Sequence, residues 1–298
     1  MNATSFTAPD WRSILYVPAN APRFIASAHR RGADAIALDL EDSVPPSEKE
    51  PARSGLRAAA RTVGQGGADV VVRINRPLSL AVRDIEAAVC SDVQALMITK
   101  VEGPSHVRLL DELVTECEVR EGLTPRAIRF ILLIETAAAF EAMPEIAAAS
   151  PRTMAMALGS EDLALDCDFV ASDEVMLYPK QRLILAARAA GIVPIGYIGS
   201  IVNLDDDAAF RAMVRRSRQF GFSTATCIHP RQVTIVNEEY GVQPDELALA
   251  RRIVAEGARH AAEGIGAFKL DGKLIDAPIV ERAERVIRRA QTLAETPR

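Results

Sequence analysis

Eight short apolar runs alternate with longer helix-period segments along a chain of 298 residues. This alternation predicts an α/β fold, a (β/α)8 TIM barrel with a C-terminal helical extension. The length suits one such barrel, roughly 250 residues, plus an appendage. Continuous apolar runs suit parallel strands that are buried on both faces. A doubly wound open sheet would favour a phosphate-binding glycine loop after its first strand, but that loop reads Pro18-Ala19-Asn20-Ala21-Pro22, with no GxGxxG.

In chain order the strand-like runs are residues 13–17, 35–40, 70–74, 95–99, 128–134, 154–158, 193–198 and 224–228. The segments between them read as helices. Ser47-Glu48-Lys49-Glu50 has capping-box spacing, with Pro51 in the first turn. Over 176–190 the apolar positions Met176, Leu177, Leu183, Ile184 and Ala187 keep helical spacing, and Gly191 is a stop. Asp205, Asp206 and Asp207 open the next helix at its positive dipole end, and Gly221 closes it. About sixty residues follow the eighth run. They read as a helix over 245–263, a glycine-bearing turn, the segment 268–276 and a helix over 278–293. The expected organisation is a catalytic barrel over 1–240 and an extension over 241–298 that packs on the barrel or on a neighbouring subunit.

The bulk numbers exclude several function classes. Hydrophobic residues make up 49% of the chain and charged residues 25%, as a globular core requires. The net charge of −5 argues against nucleic acid or an anionic membrane as partner, since both select basic faces. No apolar run approaches the roughly 18 residues of a membrane span. The first ten residues are polar and lack a basic-then-apolar leader pattern. Cys90, Cys117, Cys167 and Cys227 form no CxxC and read as reduced thiols of a cytoplasmic protein.

Catalytic groups of a barrel lie at the carboxyl ends of its strands. The polar residues there are Asp39, Glu41 and Asp42 after the second run, then Arg73, Asn75 and Arg76, Lys100 and Glu102, Glu135, Glu161 and Asp162, and His229. Carboxylates without a matching histidine or thiol cluster suit a hard, oxygen-seeking ion such as Mg2+. Glu135 and Asp162 form the best pair, because each directly follows an apolar run on neighbouring strands. The plainer reading is that these acids cap helices or pair with Arg73 and Lys100. Arg73, so deep in a strand, is either held by Asp39 or Glu41 or clamps a substrate carboxylate or developing enolate. His229 reads as a satisfied core histidine before a catalyst. No Ser or Cys has a matching base, so no nucleophilic triad is expected.

Together these residues resemble the citrate lyase beta-chain family within the HpcH/HpaI aldolase superfamily. The likeness runs from Arg12-Ser-Ile-Leu-Tyr-Val-Pro18 through Leu38-Asp-Leu-Glu-Asp42, Lys49 with Arg53, Val72-Arg-Ile-Asn75, Ile134-Glu135 and Gly159-Ser-Glu-Asp-Leu163 to Ile228-His-Pro-Arg-Gln232, and ends at Gly272-Lys-Leu-Ile-Asp-Ala-Pro278. Each motif alone is weak, and their order along one chain is specific. The resemblance implies a Mg2+-dependent carbon–carbon lyase. It would cleave a 3-hydroxyacyl-CoA thioester, of malyl-CoA or citramalyl-CoA type, to an acyl-CoA and a 2-oxo acid. It also implies that Glu135 and Asp162 hold the ion and through it the substrate, that Arg73 binds a carboxylate or enolate oxygen, and that Lys49 binds substrate. Asp276 is implied to move a proton at the acyl carbon, at the site of an adjacent subunit in a homo-oligomer, a trimer by the same resemblance. The plainer reading of Asp276 is a helix cap.

Two positions depart from the family pattern. Ala19 stands where relatives carry glycine, and its side chain is expected to narrow the approach for the CoA phosphates. The seventh run carries Ile195-Gly196-Tyr197 where many relatives have Ile-Asp before a loop. Three other functions compete: the beta subunit of a citrate lyase complex acting on a citryl thioester, a lyase with an added hydrolytic half-reaction (a thioesterase or synthase), and a catalytically silent barrel scaffold.

Overall fold

The computed structural model describes residues 10–200 and 206–295. The chain divides into two compact units, with the boundary after Asn237.

The first unit runs β1 (Ser13–Pro18), α1 (Pro22–Ala28), β2 (Ala35–Asp39), a 3-10 turn (Pro46–Glu48), α2 (Lys49–Gly64), β3 (Asp69–Ile74), α3 (Leu78–Ala88), β4 (Ala95–Ile98), α4 (Pro104–Glu121), β5 (Arg129–Ile134), α5 (Ala137–Glu141), α6 (Met143–Ala147), β6 (Thr153–Leu158), α7 (Ser160–Asp166), α8 (Asp173–Ala189), β7 (Val193–Ile195), α9 (Asp207–Phe220), β8 (Ala225–Cys227) and α10 (Pro230–Glu239). The eight strands form one sheet in the order β7-β6-β5-β4-β3-β2-β1-β8, and every ladder is parallel. A parallel bridge from Ile195 to Thr224, backed by the Gly196 N–H on the Thr224 carbonyl at 2.9 Å, joins β7 to β8 and closes the barrel. The expected fold is the observed one.

Strand side chains alternate between faces, and this sorts the core. Ile14, Ala35, Ala37, Val71, Ala95, Met97, Ile131, Leu133, Ala155, Ala157 and Ile195 share one buried cluster along the barrel axis, with Tyr16 packed against it. Their strand neighbours, such as Ile36, Leu38, Val72, Leu96 and Leu132, are buried on the opposite, helix-facing side. Both faces are therefore apolar, which is why the sequence shows continuous runs rather than alternation.

Some expectations need correction. Ser47 does not cap α2. Pro45 and Pro46 lead into the 3-10 turn, so Glu48 becomes the residue before the helix and makes no side-chain cap bond. The seventh strand stops at Ile195, earlier than the apolar run. The helix expected over 176–190 starts earlier, at Asp173, where Ser172 caps it by accepting from the Val175 N–H. Asp206 caps α9 by accepting from the Ala209 N–H, and Gly221 follows its last turn. Asp205 and the first nine residues lie outside the described residues.

The second unit contains α11 (Pro244–Ala262), β9 (Phe268–Leu270), β10 (Lys273–Ile275) and α12 (Ala277–Glu295). The segment left unassigned by the sequence is an antiparallel hairpin. Its turn residues Asp271 and Gly272 both have positive φ, 49° and 77°, the backbone that an Asp-Gly pair accepts in a two-residue hairpin turn. Ile279, Val280, Ala283, Val286 and Ile287 recur at helical spacing on α12 and pack with Ala250, Ile253, Phe268 and Ile275.

Candidate active site

Strand parity delivers the polar residues to the barrel mouth. Asp39, Arg73 and Glu135 each stand two residues beyond an axis-facing apolar residue, Ala37, Val71 and Leu133. They therefore point along the same face at the carboxyl ends of β2, β3 and β5.

Arg73 is clamped on two sides. Its Nε and Nη2 donate to the two Asp39 oxygens, both at 2.7 Å, and Nη1 lies 2.9 Å from Glu41 Oε2. The guanidinium rests over the Tyr16 ring, 4.9 Å from its centroid. Burial pushes the Asp39 carboxyl up, but the Arg73 hydrogen bonds and charge, with the Ser43 hydroxyl, outweigh it and hold Asp39 below its ordinary value. The ion-paired reading of Arg73 is thus realised, and the guanidinium is still at the mouth.

Glu135 is buried and its surroundings are short of positive charge. Burial, then the charges of Asp162 and Glu41, push its carboxyl up to about 7, against the Lys100 backbone N–H that donates to it. Gly159 makes room for it: a β-carbon there would lie 2.5 Å from Glu135 Cγ and Oε1. Asp162, in the first turn of α7, is a third exposed, and its Oδ1 is 3.4 Å from Lys100 Nζ. Burial raises the Glu41 carboxyl above its ordinary value although Lys100 and Arg73 both contact it.

Lys100 was noted in the sequence only as a possible partner. Here its Nζ lies 2.7 Å from Glu41 Oε1 and 3.9 Å from Asp42 Oδ1, besides the contact to Asp162. Its backbone is left-handed, with φ 47°. Lys49 uses two N–H groups on the Leu40 and Glu41 carbonyls, both at 2.8 Å, and so pins the chain that follows β2. Asp84, which no sequence pattern marked, supports this edge. It accepts from Arg53 Nε at 2.8 Å, from the Asn75 N–H at 2.9 Å and from Asn75 Nδ2 at 2.7 Å, and Asn75 Nδ2 also donates to the Leu40 carbonyl at 2.9 Å.

Other expected residues fall elsewhere. His229 is not a core histidine: it is exposed in the turn before α10, and its Nδ1 accepts from the Arg231 N–H at 3.2 Å. Asp276 belongs to the second unit, where its carbonyl accepts the N–H groups of Ile279 and Val280 at the start of α12. Ala19 takes no left-handed φ, and its methyl forms part of the wall of a groove of about 460 Å3 with Pro22, Ile25 and Ala52. Tyr197 is buried and donates to the Thr226 carbonyl at 2.9 Å. Beside it a cavity of about 300 Å3 is walled by Ser160, Glu161, Met176, Lys180 and Phe222.

Whether the mouth suits a divalent cation can be read from its charges. Asp39, Glu41, Asp42, Glu135 and Asp162 meet there with Arg73, Lys100 and Lys49. Acids outnumber bases there, as a cation site requires. Among the described residues no three His, Cys, Asp or Glu side chains converge as a ready-made cage. Mg2+ needs none, since it commonly takes one or two carboxylates and fills its octahedron with water and substrate.

Known proteins are similar to this chain in sequence and in fold. Citrate lyase subunit beta of Leuconostoc mesenteroides subsp. cremoris is 32% identical, over 94% of this chain and 93% of the relative. L-malyl-CoA/beta-methylmalyl-CoA lyase of Cereibacter sphaeroides is also 32% identical, over 95% of both chains. A crystal structure of protein CitE from Mycobacterium tuberculosis, in complex with magnesium, acetoacetate and coenzyme A, superposes with a TM-score of 0.74 at 29% identity, covering 94% of this chain and 97% of the other. A family model of carbon–carbon bond lyases of the TIM-barrel fold matches residues 198–294, and that of the HpcH/HpaI aldolase/citrate lyase family matches residues 12–230. The chain belongs to the HpcH/HpaI aldolase/citrate lyase family.

Proposed function

We propose that this protein is a Mg2+-dependent carbon–carbon lyase that cleaves a 3-hydroxyacyl-CoA of malyl-CoA or citramalyl-CoA type to an acyl-CoA and a 2-oxo acid. The observation that carries this reading is the cluster at the mouth. Glu135, raised by burial and then by the charges of Asp162 and Glu41, lies at the end of β5, with Asp162 in the first turn of α7 after the neighbouring β6 and Arg73 anchored alongside. The family membership and the 32% identity to a malyl-CoA lyase support the same reaction class.

Glu135 and Asp162 would hold the ion. A bound Mg2+ supplies Lewis acidity at the oxygen of the departing oxo acid. Arg73 orients the carboxylate of the oxo-acid half, with Asp39 and Glu41 fixing its guanidinium plane. In the cleavage direction the hydroxyl proton passes to solvent, its carbon–oxygen bond becomes the carbonyl of the oxo acid as the carbon–carbon bond breaks, and the electron pair of that bond passes to the thioester to form its enolate. Proton delivery to that carbon gives the acyl-CoA, and Asp276 is assigned to it. Lys49 is assigned to substrate; its two backbone hydrogen bonds hold it on the mouth rim. Four unpaired cysteines support a reducing, cytoplasmic setting. Among the described residues no helix is long and apolar enough to cross a membrane.

The test is a thioester-cleavage screen over malyl-, citramalyl- and citryl-CoA with Mg2+, reading the released oxo acid, with Glu135→Ala and Asp162→Ala alongside. Turnover that needs both carboxylates and stops with chelator is the expected result. Turnover insensitive to chelator, or full activity in either variant, would sink the metal assignment. The equal identity to a citrate lyase subunit beta favours a second reading, a citryl thioester carried on a protein, and preference for citryl-CoA would select it. No cleavage of any of the three, with no Mg2+ binding in the presence of oxo acids, would leave the silent scaffold.

A further inference from the structure

Lys100 occupies an unusual position in the cluster. It contributes two groups in different directions. Its backbone N–H donates to the Glu135 carboxylate, and its ammonium reaches across to Glu41 Oε1 at 2.7 Å and Asp162 Oδ1 at 3.4 Å. A left-handed φ of 47° is uncommon for lysine and lets one residue serve both. The residue therefore touches both carboxylates assigned to the metal and also Glu41, which Arg73 contacts from its other side.

We propose that Lys100 is an internal counter-ion for the metal site. In the metal-free protein its ammonium neutralises Asp162 and keeps that carboxylate beside Glu135. When Mg2+ enters, the ammonium releases Asp162 and is retained by Glu41, at the shorter of its contacts. Two physical points favour this over a plain ion pair. Like carboxylates brought together without a cation repel, and the Lys100 ammonium 3.4 Å from Asp162 Oδ1 offsets that repulsion before the ion arrives. The ammonium is also only half-buried, on a flexible stem, and can swing by a few ångströms, whereas the backbone N–H on Glu135 stays in place. Lys100 thus acts as a positioning residue with opposite effects on two states: it stabilises the metal-free site and weakens the ion's hold.

The inference rests on Glu135 and Asp162 being the metal ligands, and its test separates the two. Mg2+ affinity is measured by calorimetry on wild type, Lys100→Met, Lys100→Arg, Glu135→Ala and Asp162→Ala, together with the melting temperature of each without and with Mg2+. Lys100→Met is expected to bind Mg2+ at least tenfold tighter than wild type and to melt lower without metal, with saturating Mg2+ closing that gap. Lys100→Arg keeps the charge and should bind Mg2+ like wild type. Damage to the site from substitution alone would weaken binding, so the sign discriminates. Unchanged or weaker affinity in Lys100→Met overturns the counter-ion role while leaving the ligand assignment intact, provided Glu135→Ala and Asp162→Ala lose binding. Wild-type affinity in those two variants, or no Mg2+ binding by wild type, overturns both.

Discussion

Arg73 reaches the barrel axis because Val71 does: two steps along a strand return to the same face. Its charge survives there because Asp39 grips it with two parallel hydrogen bonds and Glu41 meets its remaining edge. A lysine would keep the charge but lose the planar fork. Arg73→Lys is therefore expected to lose about 2–4 kcal/mol of transition-state stabilisation, the range for removing such a donor. That corresponds to a fall of roughly 30- to 1,000-fold in kcat/KM on the preferred thioester. Wild-type turnover by Arg73→Lys would show the arginine to be a structural ion-pair partner and nothing more.

Helix α4 and strand β6 meet at the opposite end of the barrel through Arg152, a residue that no sequence pattern singled out. All five of its N–H donors are used: on Asp111 at 2.5 Å, on both Glu118 oxygens at 2.6 and 2.7 Å, on the Ile128 carbonyl at 3.0 Å and on Thr115 at 2.8 Å. Glu118 also accepts the N–H groups of Arg126 and Ile128. Breaking such a buried pair by Arg152→Met should cost about 3–5 kcal/mol, because it strands an uncompensated carboxylate. A pH dependence follows. Burial raises the Glu118 carboxyl, but the Arg152 hydrogen bonds and the two backbone N–H groups more than reverse this and hold it below its ordinary value. A depressed folded pKa means that folding favours the anion. The contribution is therefore present above the unfolded value, roughly 4.3, and is lost as pH falls through the lower folded value. Urea midpoints of wild type and Glu118→Gln should differ at neutral pH and draw together as pH falls below roughly 4.3 toward the lower folded value. A gap independent of pH would mean that the charge of Glu118 contributes nothing.

At the scale of the molecule, the second unit carries Asp276 at the start of α12. Its own core is small, so the unit is a natural candidate to act within an assembly. A homotrimer in which Asp276 serves the Glu135–Asp162 site of an adjacent subunit predicts complementation. Inactive Asp276→Asn protein mixed with inactive Glu135→Ala protein should regain part of the activity as subunits exchange, because some sites then hold both intact residues. If exchange is verified by mass and no activity returns, the shared site is wrong, and Asp276 serves its own barrel or only starts its helix.

The alternation of apolar runs and helical segments determined the barrel, because strand burial on both faces and helix periodicity are written locally in side-chain order. The same local logic placed Arg73 and Glu135 at strand ends, whereas Asp162, expected directly after the sixth run, stands in the first turn of α7. Local rules also misled. The capping spacing at Ser47 yielded to the turn that Pro45 and Pro46 impose, and the Asp271-Gly272 pair is itself a local hairpin signal. Only the tertiary structure decided which charges meet. Lys100 finds Glu41 across 59 residues, Arg73 finds Asp39 across 34, and Arg152 finds Glu118 across 34. Each pairing depends on strand register, barrel closure and helix packing. No window of sequence encodes these, because they arise only when the whole sheet curls until its edges join.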